Sequence, residues 1–88
     1  MFWMQGWRNS RMIDKTIFKE IADAPDGAVI RVLYRFGGVS EYVMCRKYGI
    51  RRLVSKDTHR RRTIKGPADV RSFLGDPLVV EIEAGGEQ

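Results

Sequence analysis

A pair of glycines, Gly37-Gly38, separates two strand-like stretches, AVIRVLYRF and VSEYVMCRKY. Both central positions of the tightest hairpin turn can require positive φ, which glycine reaches without steric cost. The pair therefore predicts a β-hairpin over residues 28–48 with a two-residue turn. In that register Phe36 pairs with Val39, Tyr34 with Glu41, Val32 with Val43 and Ile30 with Cys45. Paired residues share a face. One face then carries Ile30, Val32, Tyr34, Phe36, Val39, Val43 and Cys45, with Glu41 as its one charge. The other carries Arg31, Leu33, Arg35, Ser40, Tyr42, Met44, Arg46 and Tyr48. The first face is expected to point inward, which makes Cys45 a buried structural thiol.

Elements on either side follow from spacing. Ile13, Ile17 and Ile21 recur every four residues, which predicts an amphipathic helix of about three turns. Ser10 or Asp14 caps its start, Pro25 ends it, and Asp26-Gly27 supplies a turn. PADVRSFL reads as a second short helix, opened by Pro67 and closed by Gly75. LVVEIEA alternates, with Leu78, Val80, Ile82 and Ala84 to one side and Val79, Glu81 and Glu83 to the other, as in a half-buried strand. Residues 49–66 suggest another hairpin around Lys56-Asp57-Thr58. No short loop length gives that pair a clean apolar face, so it reads as an exposed arm or a partly irregular loop.

The expected fold class is α+β. An antiparallel sheet is built around the Gly-Gly hairpin, with two short helices packed on one face, in the order α-β-β-β(-β)-α-β. Residues 1–11 form an aromatic N-terminal extension, 12–84 a single α+β domain, and 85–88 a frayed tail. The element order partly resembles that of double-stranded-RNA-binding domains. Their second helix begins with a basic cluster, whereas helix 67–74 offers Asp69 and a lone Arg71, so membership is not inferred. EYVMCRKYGI also resembles the start of a helix-turn-helix. The recognition helix would then need apolar residues where Ser55 and Thr58 stand, and the hairpin reading is preferred.

Composition narrows the function. At 88 residues and 10.1 kDa the chain makes one domain. One Cys excludes an intramolecular disulfide, and one Cys with one His cannot complete a four-ligand Cys/His zinc site. No run approaches the ~18–20 apolar residues needed to cross a bilayer, so no membrane role is expected. The start MFWMQGWRNSR does not read as a secretory signal, and a cytoplasmic protein is expected. Asp57-Thr58-His59 has no placeable serine or cysteine partner, and no carboxylates pair for acid–base work. No enzyme activity, cofactor or metal is expected.

The net charge of +5 is unevenly spread. Residues 1–27 balance, residues 28–67 hold eleven Lys/Arg against Glu41 and Asp57, and residues 68–88 hold Arg71 against five acids. A strongly basic central region points to an anionic partner. The expected function is a small non-enzymatic nucleic-acid-binding protein, with DNA and RNA both open. Arg31, Arg35, Arg46, Arg51, Arg52, Lys56, Arg60, Arg61, Arg62 and Lys65 would contact phosphates, while Tyr42 and Tyr48 would stack or pack. The alternative is a protein-interaction module or inhibitor, whose basic face docks an acidic or nucleic-acid-handling partner. Phe2, Trp3 and Trp7 either lid the thin core or form a patch for a partner or self-association, which makes a homodimer a candidate state.

Overall fold

A computed structural model describes residues 10–14 and 16–83. The fold is α+β, as the element order predicts. Its strands are β1 (Ser10–Met12), β2 (Val29–Tyr34), β3 (Val39–Lys47), β4 (Ile50–Ser55), β5 (Arg61–Thr63) and β6 (Pro77–Glu83). Helix α1 (Ile17–Ala22) follows β1, and α2 (Pro67–Leu74) follows β5. The strands form one antiparallel sheet in the order β1-β6-β2-β3-β4-β5. Strand β1 spans the boundary expected between extension and domain. The aromatic residues Phe2, Trp3 and Trp7, and the tail 85–88, lie outside the described residues.

Both helices pack on one sheet face. Ile17, Ile21, Ile30, Val32, Met44, Leu53, Ile64, Val70 and Val80 are fully buried there. Each such side chain contributes about 1.5–3 kcal/mol by leaving water. Helix α1 is shorter than its apolar spacing suggests. The Asp14 carboxylate accepts bonds from the Thr16 and Ile17 N–H groups at 2.9 and 3.0 Å, so the chain becomes helical only beyond it. Ile13 therefore precedes the helix while still packing against the core. Helix α2 matches its prediction. Pro67 opens it, Val70 and Leu74 are buried, and Gly75 closes it at φ 87°.

The hairpin is real, but its turn is not the glycine pair. The loop is Arg35-Phe36-Gly37, with Gly37 left-handed at φ 96°, and the Tyr34 N–H donates to the Gly38 carbonyl at 2.8 Å. Val32 consequently faces Ser40, Arg31 faces Glu41, and Ile30 faces Tyr42. A three-residue loop in place of a two-residue one turns every β3 side chain to the opposite face. Tyr42 and Met44 enter the core, while Cys45, expected inside, is exposed. The physical reason is charge. The two faces of β3 are nearly equal in apolar content, and the observed register moves Glu41 out of the core to sit directly opposite Arg31.

The two-residue turn lies at Tyr48-Gly49, with φ values of 54° and 77°. It joins β3 to β4, which pair from Lys47↔Ile50 to Tyr42↔Ser55. The segment after it is a hairpin, with Arg52↔Thr63, Leu53↔Arg62 and Val54↔Arg61. Its loop sits where the sequence suggested, with the Ser55 N–H donating to Arg60 at 2.7 Å and the His59 N–H to Ser55 at 2.9 Å. The helix-facing side of β5 is not apolar. The Arg60 and Arg62 guanidinium carbons lie 5.9 and 6.0 Å from the Phe73 ring centre and roof that ring with planar cations.

Candidate nucleic-acid interface

The structure sorts the predicted cationic residues into those that bond carboxylates or carbonyls of the fold and those without a carboxylate partner among the described residues, of which Arg62 still donates to the Ser72 hydroxyl at 2.8 Å. Arg31 belongs to the first. On β2 it lies between Glu41 on β3 and Glu81 on β6, directly opposite both. Its Nε donates to Glu41 at 2.7 Å, one terminal nitrogen donates to Glu81, and the other to Glu83 at 3.2 Å. Glu41 also pairs with Lys56 at 3.1 Å. The Arg31 bond, then that of Lys56, holds the Glu41 carboxyl below its ordinary range, and the same carboxylates raise Arg31. Leu33, Val79 and Glu81 are buried around this network on the face opposite the helices, so β6 is not the half-buried strand its alternation suggests. Arg31 is a structural residue, with each of its three guanidinium nitrogens bonded to a carboxylate.

Three more predicted residues are engaged by the fold. The Arg51 Nη1 donates to the Ala22 carbonyl at 2.6 Å and lies 3.4 Å from Asp23, capping the C-terminal end of α1 with positive charge. Tyr42 is buried, and its ring meets Phe73 edge-on at 5.6 Å. The Tyr34 hydroxyl donates to the Leu74 carbonyl at 2.7 Å, which leaves the Tyr42 hydroxyl to donate to Tyr34 at 2.9 Å. Burial, then this contact, raises the Tyr34 phenol above its usual range. A stacking role for Tyr42 is thus overturned by the register. Arg35 sits in the β2–β3 loop, at the end of β3 remote from Tyr48, and lies 3.3 Å from Asp76.

The remaining cations gather on β3, β4 and β5. Residues 46–65 hold nine Lys/Arg against Asp57 alone. Among the described residues, Arg46, Lys47, Arg52, Arg60, Arg61, Arg62 and Lys65 have no carboxylate ion-pair partner. Pairing places Lys47, Arg52 and Arg61 on the helix-free face, stepping diagonally from β3 to β4 to β5. Diagonal neighbours on adjacent strands are about 7–8 Å apart. Arg46 and Arg62 lie on the helix side of the same strands, and Arg60, in the loop before β5, lies over the Phe73 ring. Tyr48 stands at the hairpin tip, 96% exposed. Beside it a recess of about 290 Å³ is lined by Cys45, Lys47, Tyr48, Ile50 and Arg52.

Sequence reasoning found these cations but not their sorting. The missed signal was Glu41: a carboxylate on a supposed core face, ten residues after an arginine that could neutralise it. No group of three or more His, Cys, Asp or Glu among the described residues is placed to hold a metal ion. Comparison with protein-family models, curated proteins and solved structures finds no match to this chain.

Proposed function

We propose that this protein is a non-enzymatic nucleic-acid-binding protein whose contact surface is the β3–β4–β5 end of the sheet. The observation that carries the reading is the diagonal of Lys47, Arg52 and Arg61 on the helix-free face, unpaired with any described carboxylate. Arg46, Arg60, Arg62 and Lys65 extend the positive surface around the strand edges. Exposed cations of this kind bind phosphates by releasing condensed counterions, so affinity falls with salt. Arginine adds bidentate grip. Arg31, Arg51 and Tyr42 leave the contact set, because each is already engaged within the fold.

A salt series measures the contact directly. If about six phosphates are neutralised on duplex DNA, log K falls against log salt with a slope near −5. The triple variant Lys47→Ala, Arg52→Ala, Arg61→Ala is expected to fold normally and to flatten that slope by about 3. An unchanged slope, or the absence of any nucleic-acid binding at low salt, refutes the reading. Capture of an acidic protein instead supports the interaction-module alternative.

A further inference from the structure

With His59, Tyr48 is one of two described non-glycine residues at positive φ. It occupies the first position of a turn with φ 54°, a left-handed conformation in which a side chain as large as tyrosine is strained. Asparagine or glycine would serve that turn better. Ordinarily such strain persists where packing compensates for it. Here the ring is 96% exposed. Nor is it an isolated exposure, because residues 45–50 are all exposed within a regularly paired hairpin. A paired ribbon thus presents an aromatic ring at its tip, with Arg46 and Lys47 just behind it and Ile50, 43% exposed, alongside.

The ribbon's dimensions select a ligand. Beyond Arg51, where the Ile64 N–H makes its bond to the Arg51 carbonyl at 2.8 Å, only two strands remain. Each runs one further residue, Lys47 and Ile50, before the Tyr48-Gly49 turn, so the tip projects about 7 Å at ~3.4 Å per residue. Neighbouring strands lie about 4.8 Å apart. A two-stranded ribbon of this size enters the major groove of B-form DNA, about 12 Å wide and 8.5 Å deep. The A-form RNA major groove is too narrow to admit it. A single-strand platform calls for several flat rings on one sheet face. Among the described residues the helix-free face of β3 and β4 carries Val43, Cys45, Ile50 and Val54 in their place.

We infer that the ligand is double-stranded DNA, and that the Tyr48-Gly49 tip enters its major groove while Lys47, Arg52 and Arg61 hold the flanking phosphates. This rests on the nucleic-acid reading above. The recess beside Tyr48, lined by the apolar Cys45 and Ile50 and the cationic Lys47 and Arg52, offers a place for an apolar base edge such as a thymine methyl.

The test compares fluorescently labelled 20-base-pair duplex DNA, the same sequence as duplex RNA, one DNA strand alone, and vesicles rich in anionic lipid. Tyr48→Asn is the variant of choice, because asparagine suits the turn and its melting temperature should equal or exceed that of the native chain. Duplex DNA is expected to bind tightest, and Tyr48→Asn to lose about tenfold on it, the size of one base contact. The same variant should leave weak single-strand binding unchanged. Equal affinity for duplex RNA or single-stranded DNA, or an unaltered duplex affinity in the variant, overturns the inference while leaving the broader reading intact. Tyr48-dependent vesicle binding with no binding to any nucleic acid overturns both.

Discussion

The sheet face without helices has two halves that treat arginine in opposite ways. In the β6–β2 half, Arg31 is enclosed by Glu41, Glu81 and Glu83. In the β3–β4–β5 half, Arg52 and Arg61 stand on the same face with no carboxylate partner among the described residues. Residue type does not separate them; neighbouring strands do. Strand β6 brings the acidic C-terminal segment beside β2, whereas β4 and β5 bring only more cations to β3. The β6 carboxylates Glu81 and Glu83 therefore serve the fold, while Lys47, Arg52 and Arg61 are left without a carboxylate partner among the described residues.

The comparison breaks most visibly at Arg31. Arg31→Ala strands Glu81, which is 2% exposed, without its cation. Leaving one charge of a buried pair uncompensated costs on the order of 3 kcal/mol, read as a large fall in the urea unfolding midpoint. Arg52→Ala and Arg61→Ala should leave that midpoint unchanged. If all three variants unfold alike, the two halves are not different. A smaller effect is expected at Arg51, whose loss removes the cap on α1. Arg51→Ala should cost about 1 kcal/mol in the same titration without changing the salt slope of nucleic-acid binding.

The smallest effect concerns pH. Glu41 has a lowered carboxyl pKa, because Arg31 and then Lys56 bond its charged form. A carboxyl lowered by folding stabilises the protein above its unfolded value of about 4.3, and that contribution disappears as the pH falls through the lower folded value. Glu41→Gln should therefore weaken the native state at neutral pH and make its decline on acidification shallower. Parallel curves of unfolding midpoint against pH would show that Arg31 and Glu41 are not coupled in this way.

Much of this architecture is legible in the sequence. The inward set Ile30, Val32 and Tyr34, the bounds of α2, and the presence of a strand at β6 follow from periodicity and from glycine and proline, whereas the burial of both β6 faces does not. The face of β3 did not, because it depends on loop length, and Gly37-Gly38 fits two loop lengths that differ in parity. The tip at Tyr48-Gly49 was hidden for a related reason: tyrosine is not a residue that announces a left-handed turn. The β4–β5 pair was obscure because part of its inner face is built from Arg60 and Arg62 laid over Phe73, so no apolar stripe marks it. On the candidate surface, charge marks the β3–β5 cations, while the roles of Arg31, Arg51 and Tyr42 depend on the register.

That register also governs how the chain can change over time. The loop Arg35-Phe36-Gly37 has an odd number of residues between the paired positions Tyr34 and Gly38. Adding or deleting one residue there would turn Tyr42 and Met44 out into water and drive Glu41 into the apolar interior. A change of two would keep every side chain on its present side. Length variation at this hairpin should therefore survive selection in even steps.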